Sequence, residues 1–162
     1  MKNAPIPKYE KERMEALHSL NILDTKPEER FDVLTKMATK MLSMPISVVS
    51  IVDSDREWYK SCEGLTVKEG GRKESFCGHA LLSEDVFIVE DTLLDSRFKD
   101  NPTVIGAPFI RFYAGVRMRD LKTHLPIGVF CVKDYKPRNL NTEQVDILFM
   151  LAQRAEIELN KR

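Results

Sequence analysis

A chain of 162 residues with 43% hydrophobic content, and with 25 basic against 25 acidic residues, can build one ordinary core and has no concentrated charge of either sign. That balance argues against nucleic acid as a partner, because phosphate-backbone binding needs a basic surface. No apolar run reaches the roughly 20 residues a membrane helix needs, the N-terminus lacks the apolar centre of a signal peptide, and three widely spaced cysteines fit reduced thiols; the chain reads as cytoplasmic, with no membrane partner.

Residues 1–8 form a Pro-containing tail that is expected to be loose. From Tyr9 to Leu20 the apolar spacing predicts a helix laying one face on the rest. Thr25, Pro27 and Glu28 together read as a helix start, with Thr25 as cap. Phe31, Leu34, Ala38, Met41 and Leu42 then recur at helical spacing, and the helix stops before Pro45. Ile46–Val52 is β-branched and predicts a buried strand. Asp53–Asp55 is turn chemistry, and Glu57–Glu63 supplies the second strand of a hairpin. Gly64, Gly70 and Gly71 mark a loop, and Glu74–Leu82 a short helix capped by Ser75.

A short strand at Val86–Glu90 leads into a long connection, Asp91–Gly115. Pro102 and Pro108 interrupt it, yet it is rich in apolar and charged residues. A connection of that length and composition is expected to fold as a lid over a cavity. Strands at Phe112–Met118 and Leu125–Lys133 come next, joined by a polar turn. Asn141 or Thr142 caps a last helix with an apolar stripe of Val145, Leu148, Phe149, Ala152, Ala155 and Leu159. Short turns between neighbouring strands predict an antiparallel sheet, with helices on one face and long loops on the other. The fold class is α+β, in one domain whose core spans residues 21–160 behind an N-terminal helix at 9–20.

Seven motifs in order resemble a GAF domain of the kind found near the N-terminus of bacterial sensor kinases and diguanylate cyclases. They are Leu20–Thr25, Pro27–Asp32, Asp53–Ser61, Ser75–Ala80, Asp95–Pro102, Ile110–Gly115 and Ile127–Asp134. The resemblance implies a PAS-like sheet of about five or six strands, with a loop-covered pocket on one face and helices that dimerise on the other. It implies a small-molecule sensor or regulatory domain in signal transduction. Such a domain controls a fused or separate output, as a homodimer through its N- and C-terminal helices. The ligand is an unknown small molecule, and no cofactor is identifiable.

Cys77 and His79 supply only two metal ligands where structural zinc needs four, so no metal site is expected. The expected reading puts Phe76 and Cys77 partly in the core and His79 on the pocket wall. A helix N-terminus and a nearby imidazole can also lower a thiol pKa. That leaves a cysteine-dependent redox enzyme, similar to the free-methionine sulfoxide reductases, as the alternative to a non-enzymatic sensor. Bilin-binding members carry Cys followed directly by His, whereas here Gly78 intervenes.

Arg111 lies between Ile110 and Phe112. If those two share a face, Arg111 takes the other, where its fork suits a carboxylate or phosphate. Its rival role is an internal salt bridge to Asp91 or Asp95, and Arg97 reads as a local partner of Asp95 or Asp100. Trp58 and Tyr113 either wall the pocket or pack in the core, and Asn101 either turns the lid or reaches the ligand. The candidate ligand-binding set is Arg111, Asp91, His79, Cys77, Tyr113, Trp58 and Asn101. A ligand-free dimerisation module, with Arg111 paired internally, is the third reading.

Overall fold

The computed structural model describes residues 1–161. Its central strand, β1 (Ile46–Val52), is buried at all seven positions, so each side of it needs a cover of its own. Around it runs one six-stranded sheet with β2 (Arg56–Glu63), β3 (Glu69–Gly71), β4 (Phe87–Val89), β5 (Phe112–Arg119) and β6 (Pro126–Asp134), in the order β3-β2-β1-β6-β5-β4. Every neighbouring pair is antiparallel, as short connections demand.

One face carries α1 (Glu10–Ser19), α2 (Glu29–Met41) and α5 (Thr142–Leu159). Leu17, Phe31, Leu34, Ala38, Leu148, Ala152 and Leu159 pack there on Val49, Ile51, Phe112 and Phe130. The other face carries no long helix. Short α3 (Phe76–Ala80), α4 (Pro102–Ile105) and the loops between them lay Phe76, Cys77, Leu81, Phe98, Val104 and Ile110 on Val48, Tyr113, Val129 and Cys131. The expected α+β architecture with one helical and one loop face is the observed one.

A β-bulge sets what β2 shows to each face. Val49 pairs with Ser61 but Ser50 with Tyr59, so Lys60 has no partner across the ladder. Trp58 joins the helix-side core, and the Ser61 hydroxyl meets Thr35 and Asp32 on α2. Glu57 and Tyr59 face the loop side, where both line a cavity.

Four local expectations change. Gly70 and Gly71, read as loop, lie in β3, where they pair with Glu57 and Arg56. Thr25 does not cap α2, which begins at Glu29 behind extended Glu28; the Thr25 hydroxyl bonds the Ile22 carbonyl instead. Pro27 favours extended backbone just before it, which delays the helix. Ser75 does cap, accepting from the Gly78 amide at 2.9 Å, but α3 is only five residues long. The tail at 1–7 is tied down. Lys2 N donates to Arg97 O and Ala4 N to Lys73 O. Ala4 fills the slot left by Gly78, where an added Cβ would come within 2.5 Å of the Ala4 methyl.

Gly64 turns the chain out of β2 with φ +91°, and a Cβ there would fall on the Pro45 carbonyl oxygen. The left-handed backbone alone costs a non-glycine residue about 1–2 kcal/mol. Gly64→Ala is therefore expected to lower unfolding free energy by at least that amount, read as a drop in the urea midpoint at unchanged m-value.

Candidate functional site

The loop face encloses a cavity of about 400 Å³. Its floor is Glu57 and Tyr59 of β2 with Lys133 of β6. One side is the β2–β3 connection with Gly70 and Gly71, and the roof is Phe76 with Thr103, Pro108 and Ile110 of the lid. Gly70 leaves room for a polar pair: a Cβ there would stand 3.3 Å from Glu57 Oε1, which accepts from the Tyr59 hydroxyl at 2.6 Å. Gly71 leaves the space in which the Glu74 carboxylate lies.

Lys133 is the unusual group. It is 6% exposed. Its nitrogen lies 5.8 Å from the Phe76 ring centre and 6.0 Å from that of Tyr113. Among the described residues it has no hydrogen-bond or ion-pair partner. Burial is the largest influence and pulls its pKa down, but the Glu57 carboxylate together with the Cys131, Cys77 and Cys62 sulfurs outweighs it, and the ammonium is held above its ordinary value. A buried cation is costly unless its protons find acceptors. This one faces a cavity, where a bound molecule can supply them.

None of the seven candidates read from the sequence lines this cavity. Arg111 Nη2 donates to both Asp91 oxygens, at 3.0 and 3.2 Å, and the pair joins the two ends of the lid. Ile110 and Phe112 do not share a face: Ile110 lies in the loop-side core and Phe112 in the helix-side core. The premise that turned Arg111 toward a pocket therefore does not hold. Asn101 caps α4 by accepting from the Thr103 amide at 2.9 Å and donates to the Glu74 carbonyl at 2.7 Å. Arg97 pairs with Asp95 at 2.7 Å and lies over Phe87 and Phe98.

Tyr113 and Cys77 lie one layer below the cavity. The Tyr113 hydroxyl donates to Cys77 Sγ at 3.1 Å, and Cys131 Sγ is 3.9 Å from Cys77 Sγ. Burial pushes the Cys77 thiol well up, against the lowering expected of a nucleophile. Cys62, nearer the surface, is pushed up to about 11, again chiefly by burial. Trp58 borders an adjoining groove of about 570 Å³, which shares Tyr59, Glu69 and the Leu65–Val67 wall with the cavity. Lys60 in that groove is already held by Glu28 at 2.8 Å and by the Thr25 hydroxyl. No cluster of three or more His, Cys, Asp or Glu among the described residues is placed to hold a metal, and no helix is long and apolar enough to cross a membrane.

The residues that do line the cavity, Lys133, Glu57, Tyr59 and Glu74, carried no role in the sequence reading. A signal existed for Lys133. It shares strand parity with buried Val129 and Cys131, so a charge there points into the loop-side core rather than to water.

An antiparallel sheet with helices on one face and a roofed cavity on the other is a PAS-like α+β architecture. The chain belongs to the GAF domain family, whose model matches residues 26–159. It is 38% identical over 138 residues to a cyclic di-GMP phosphodiesterase of Pseudomonas aeruginosa, covering 85% of this chain and 23% of that protein. The fold is similar to the GAF domain of an Acinetobacter phosphoenolpyruvate-protein phosphotransferase, with TM-score 0.63, 13% identity, and 91% and 92% of the two chains covered. It is also similar to the type II free methionine-R-sulfoxide reductase of Thermoplasma acidophilum, with TM-score 0.66, 12% identity, and 89% and 94% covered.

His79 packs edge-on to Phe98 at 4.8 Å, with Nε2 3.2 Å from the Lys2 carbonyl oxygen. Burial lowers its pKa below the usual 6.5 and outweighs the Lys2 carbonyl, which favours the charged ring. The unfolded chain then binds the proton more readily than the folded one. The contribution of neutral His79 is complete above about pH 6.5 and is lost as pH falls toward the lowered folded value. His79→Gln is expected to flatten the fall in urea midpoint between about pH 7.5 and 5 relative to the unsubstituted protein.

Proposed function

We propose that this GAF domain is a non-enzymatic sensor: a small molecule occupies the cavity beneath the lid, and the helical layer passes its presence to an attached or separate output. The observation that carries the reading is Lys133, a buried ammonium facing a cavity with no protein acceptor. The cavity lies within the size range of small-molecule pockets. The relative named as a cyclic di-GMP phosphodiesterase supports an output in cyclic-dinucleotide signalling; in this proposal the chain regulates that output from the cytoplasm. The buried, raised thiol of Cys77 favours sensing over thiol catalysis.

The test is a thermal-shift and calorimetric screen with nucleotides, amino acids and small carboxylates. Ala107 is exposed at the cavity mouth. A ligand that raises the melting temperature of the unsubstituted protein should lose that effect in Ala107→Trp, whose own melting temperature should change little. A shift that persists unchanged in Ala107→Trp places the ligand elsewhere and defeats the reading.

The sensor acts as a homodimer in this proposal. Leu17, Ala155 and Leu159, on the N- and C-terminal helices expected to dimerise, are spent on the sheet. Val33, Met37 and Met41 of α2 instead stand exposed at four-residue spacing, with Met150 and Ile157 exposed on neighbouring α5. A two-fold pairing of this face buries both stripes. Met37→Glu combined with Ile157→Glu is expected to convert a dimer to a monomer in sedimentation velocity. An unchanged mass would remove this face from the interface.

A further inference from the structure

The cavity is electrically two-ended. Lys133 stands opposite Ile46, at the first residue of β1, and Glu57 opposite Val52, at its last. The second carboxylate at the Glu57 end is Glu74, which lies over Gly71, the glycine next to Gly70 beside Glu57. Glu74 has no hydrogen-bond or ion-pair partner for its side chain among the described residues. Glu57 is partnered at Oε1 by Tyr59, while Oε2 has only a long 3.5 Å contact from the Ser50 hydroxyl. The third carboxylate on the wall, Glu69, is shared with Arg56 at 3.4 Å. One ammonium thus faces three carboxylates, of which one is already paired, while Phe76, Ile110 and Pro108 give the roof an apolar surface.

We infer that the cavity selects small zwitterions: a carboxylate or equivalent acceptor on Lys133, an amine or similar donor group toward Glu57 and Glu74, and an apolar body between. The inference rests on the sensor reading above and narrows it. A phosphate ester brings one or more negative charges and finds a single cation, with two carboxylates, Glu57 and Glu74, that have no ion-pair partner among the described residues. Like charges in a partly desolvated site repel strongly. A simple carboxylate satisfies Lys133 but leaves the acidic end empty, and a simple amine does the reverse. Only a molecule with both groups meets both ends. The separation matters too. Glu57 and Lys133 are not in ion-pair contact, yet Glu57 is the leading charge that favours the Lys133 ammonium. Both poles line one cavity of about 400 Å³, a volume that a small bridging molecule can fill.

The experiment is calorimetric titration of 4-aminobutanoate, L-arginine and L-phenylalanine, beside butanoate, butylamine, cyclic GMP and cyclic di-GMP, into the unsubstituted protein and its variants. At least one zwitterion is expected to bind at least tenfold tighter than every singly charged or phosphorylated probe. Lys133→Met is expected to weaken that binding at least tenfold, and Lys133→Arg to retain it within several-fold. Glu57→Gln should weaken the zwitterion without weakening butanoate. The ranking on the unsubstituted protein decides the matter even where Lys133→Met fails to fold. Tighter binding of either phosphorylated probe, blocked by Ala107→Trp, overturns charge selection and leaves the sensor reading intact. Zwitterion binding indifferent to a folded Lys133→Met also overturns it. Absence of binding by every probe defeats both.

Discussion

The burial of β1 on both faces is the constraint on which the rest of the architecture depends. A sheet whose middle strands are apolar on both sides must be covered twice. On one side the chain supplies three helices, which satisfy their own backbone groups and pack as solid rods. On the other it supplies loops, and loop backbone must find its hydrogen bonds piecemeal. This explains the density of small polar ties there: the Ser75 and Asn101 caps, the Asn101 amide on Glu74 O, the Asp91–Arg111 pair, and the tail amides on Lys73 and Arg97. Such a cover is stitched rather than packed. It can roof a cavity that interlocking helical side chains would fill.

The buried charges divide into two kinds. Arg13 and Arg72 converge on Glu10, tying α1 to the loop after β3. Burial opposes ionisation of Glu10, but the hydrogen bonds from Arg72 and Arg13 outweigh it and hold its pKa below the ordinary carboxylate value. Lys60 is held in the same manner by Glu28, Thr25 and Lys26. Each of these charges is enclosed by protein groups of opposite sign. Lys133 breaks the pattern, and it does so on the loop face beside a cavity of about 400 Å³. A charge retained without protein partners beside a void is the arrangement expected of a recognition site.

The sheet, its antiparallel sense, the helical face and the position of the lid were legible because each rests on periodicity or on turn residues. Ile46–Val52 announces a strand buried on both sides, and Phe31, Leu34 and Ala38 a helix face. The cavity wall was not legible, for two physical reasons. On β2, Glu57 and Tyr59 flank Trp58 ahead of the bulge, so their shared face was readable, but nothing in that alternation says which face carries loops rather than helices. The lid also bends between Ile110 and Phe112 rather than running on as strand, and Phe109 just before it has positive φ. Parity across Arg111 therefore predicted the wrong neighbours for its side chain. The chemistry read into Ser75–His79 failed to reach the cavity for a simpler reason. A five-residue helix seated on the sheet turns Cys77 inward to Tyr113 and Cys131, and His79 toward the tail and Phe98.

The end of β6 shows how a ligand on Lys133 can be felt at the far face of the sheet. Asp134 is the next residue after Lys133. Its backbone carbonyl accepts from the Arg111 amide at the close of the lid. Its carboxylate accepts from Arg138 at 2.7 Å, and the Arg138 guanidinium in turn donates to the carbonyls of Leu42 and Ser43, just past the end of α2. Cavity, lid and helix terminus therefore meet at one residue pair: the lid link is a backbone bond, the Arg138 bonds to Asp134 and Leu42 are part-buried and charge-assisted, and the one to Ser43 is exposed. Met41, the last residue of α2, is the exposed apolar residue closest along the chain to that anchor. A shift of the β6 end by a fraction of an ångström must either stretch the Arg138 bonds or carry the end of α2 with it. Packed elements settle such a choice by moving together. Energetic coupling of this kind needs two arrangements that the ligand tells apart. In the proposed sensor, the difference between an unpaired and a paired Lys133 is what biases the domain toward one of them.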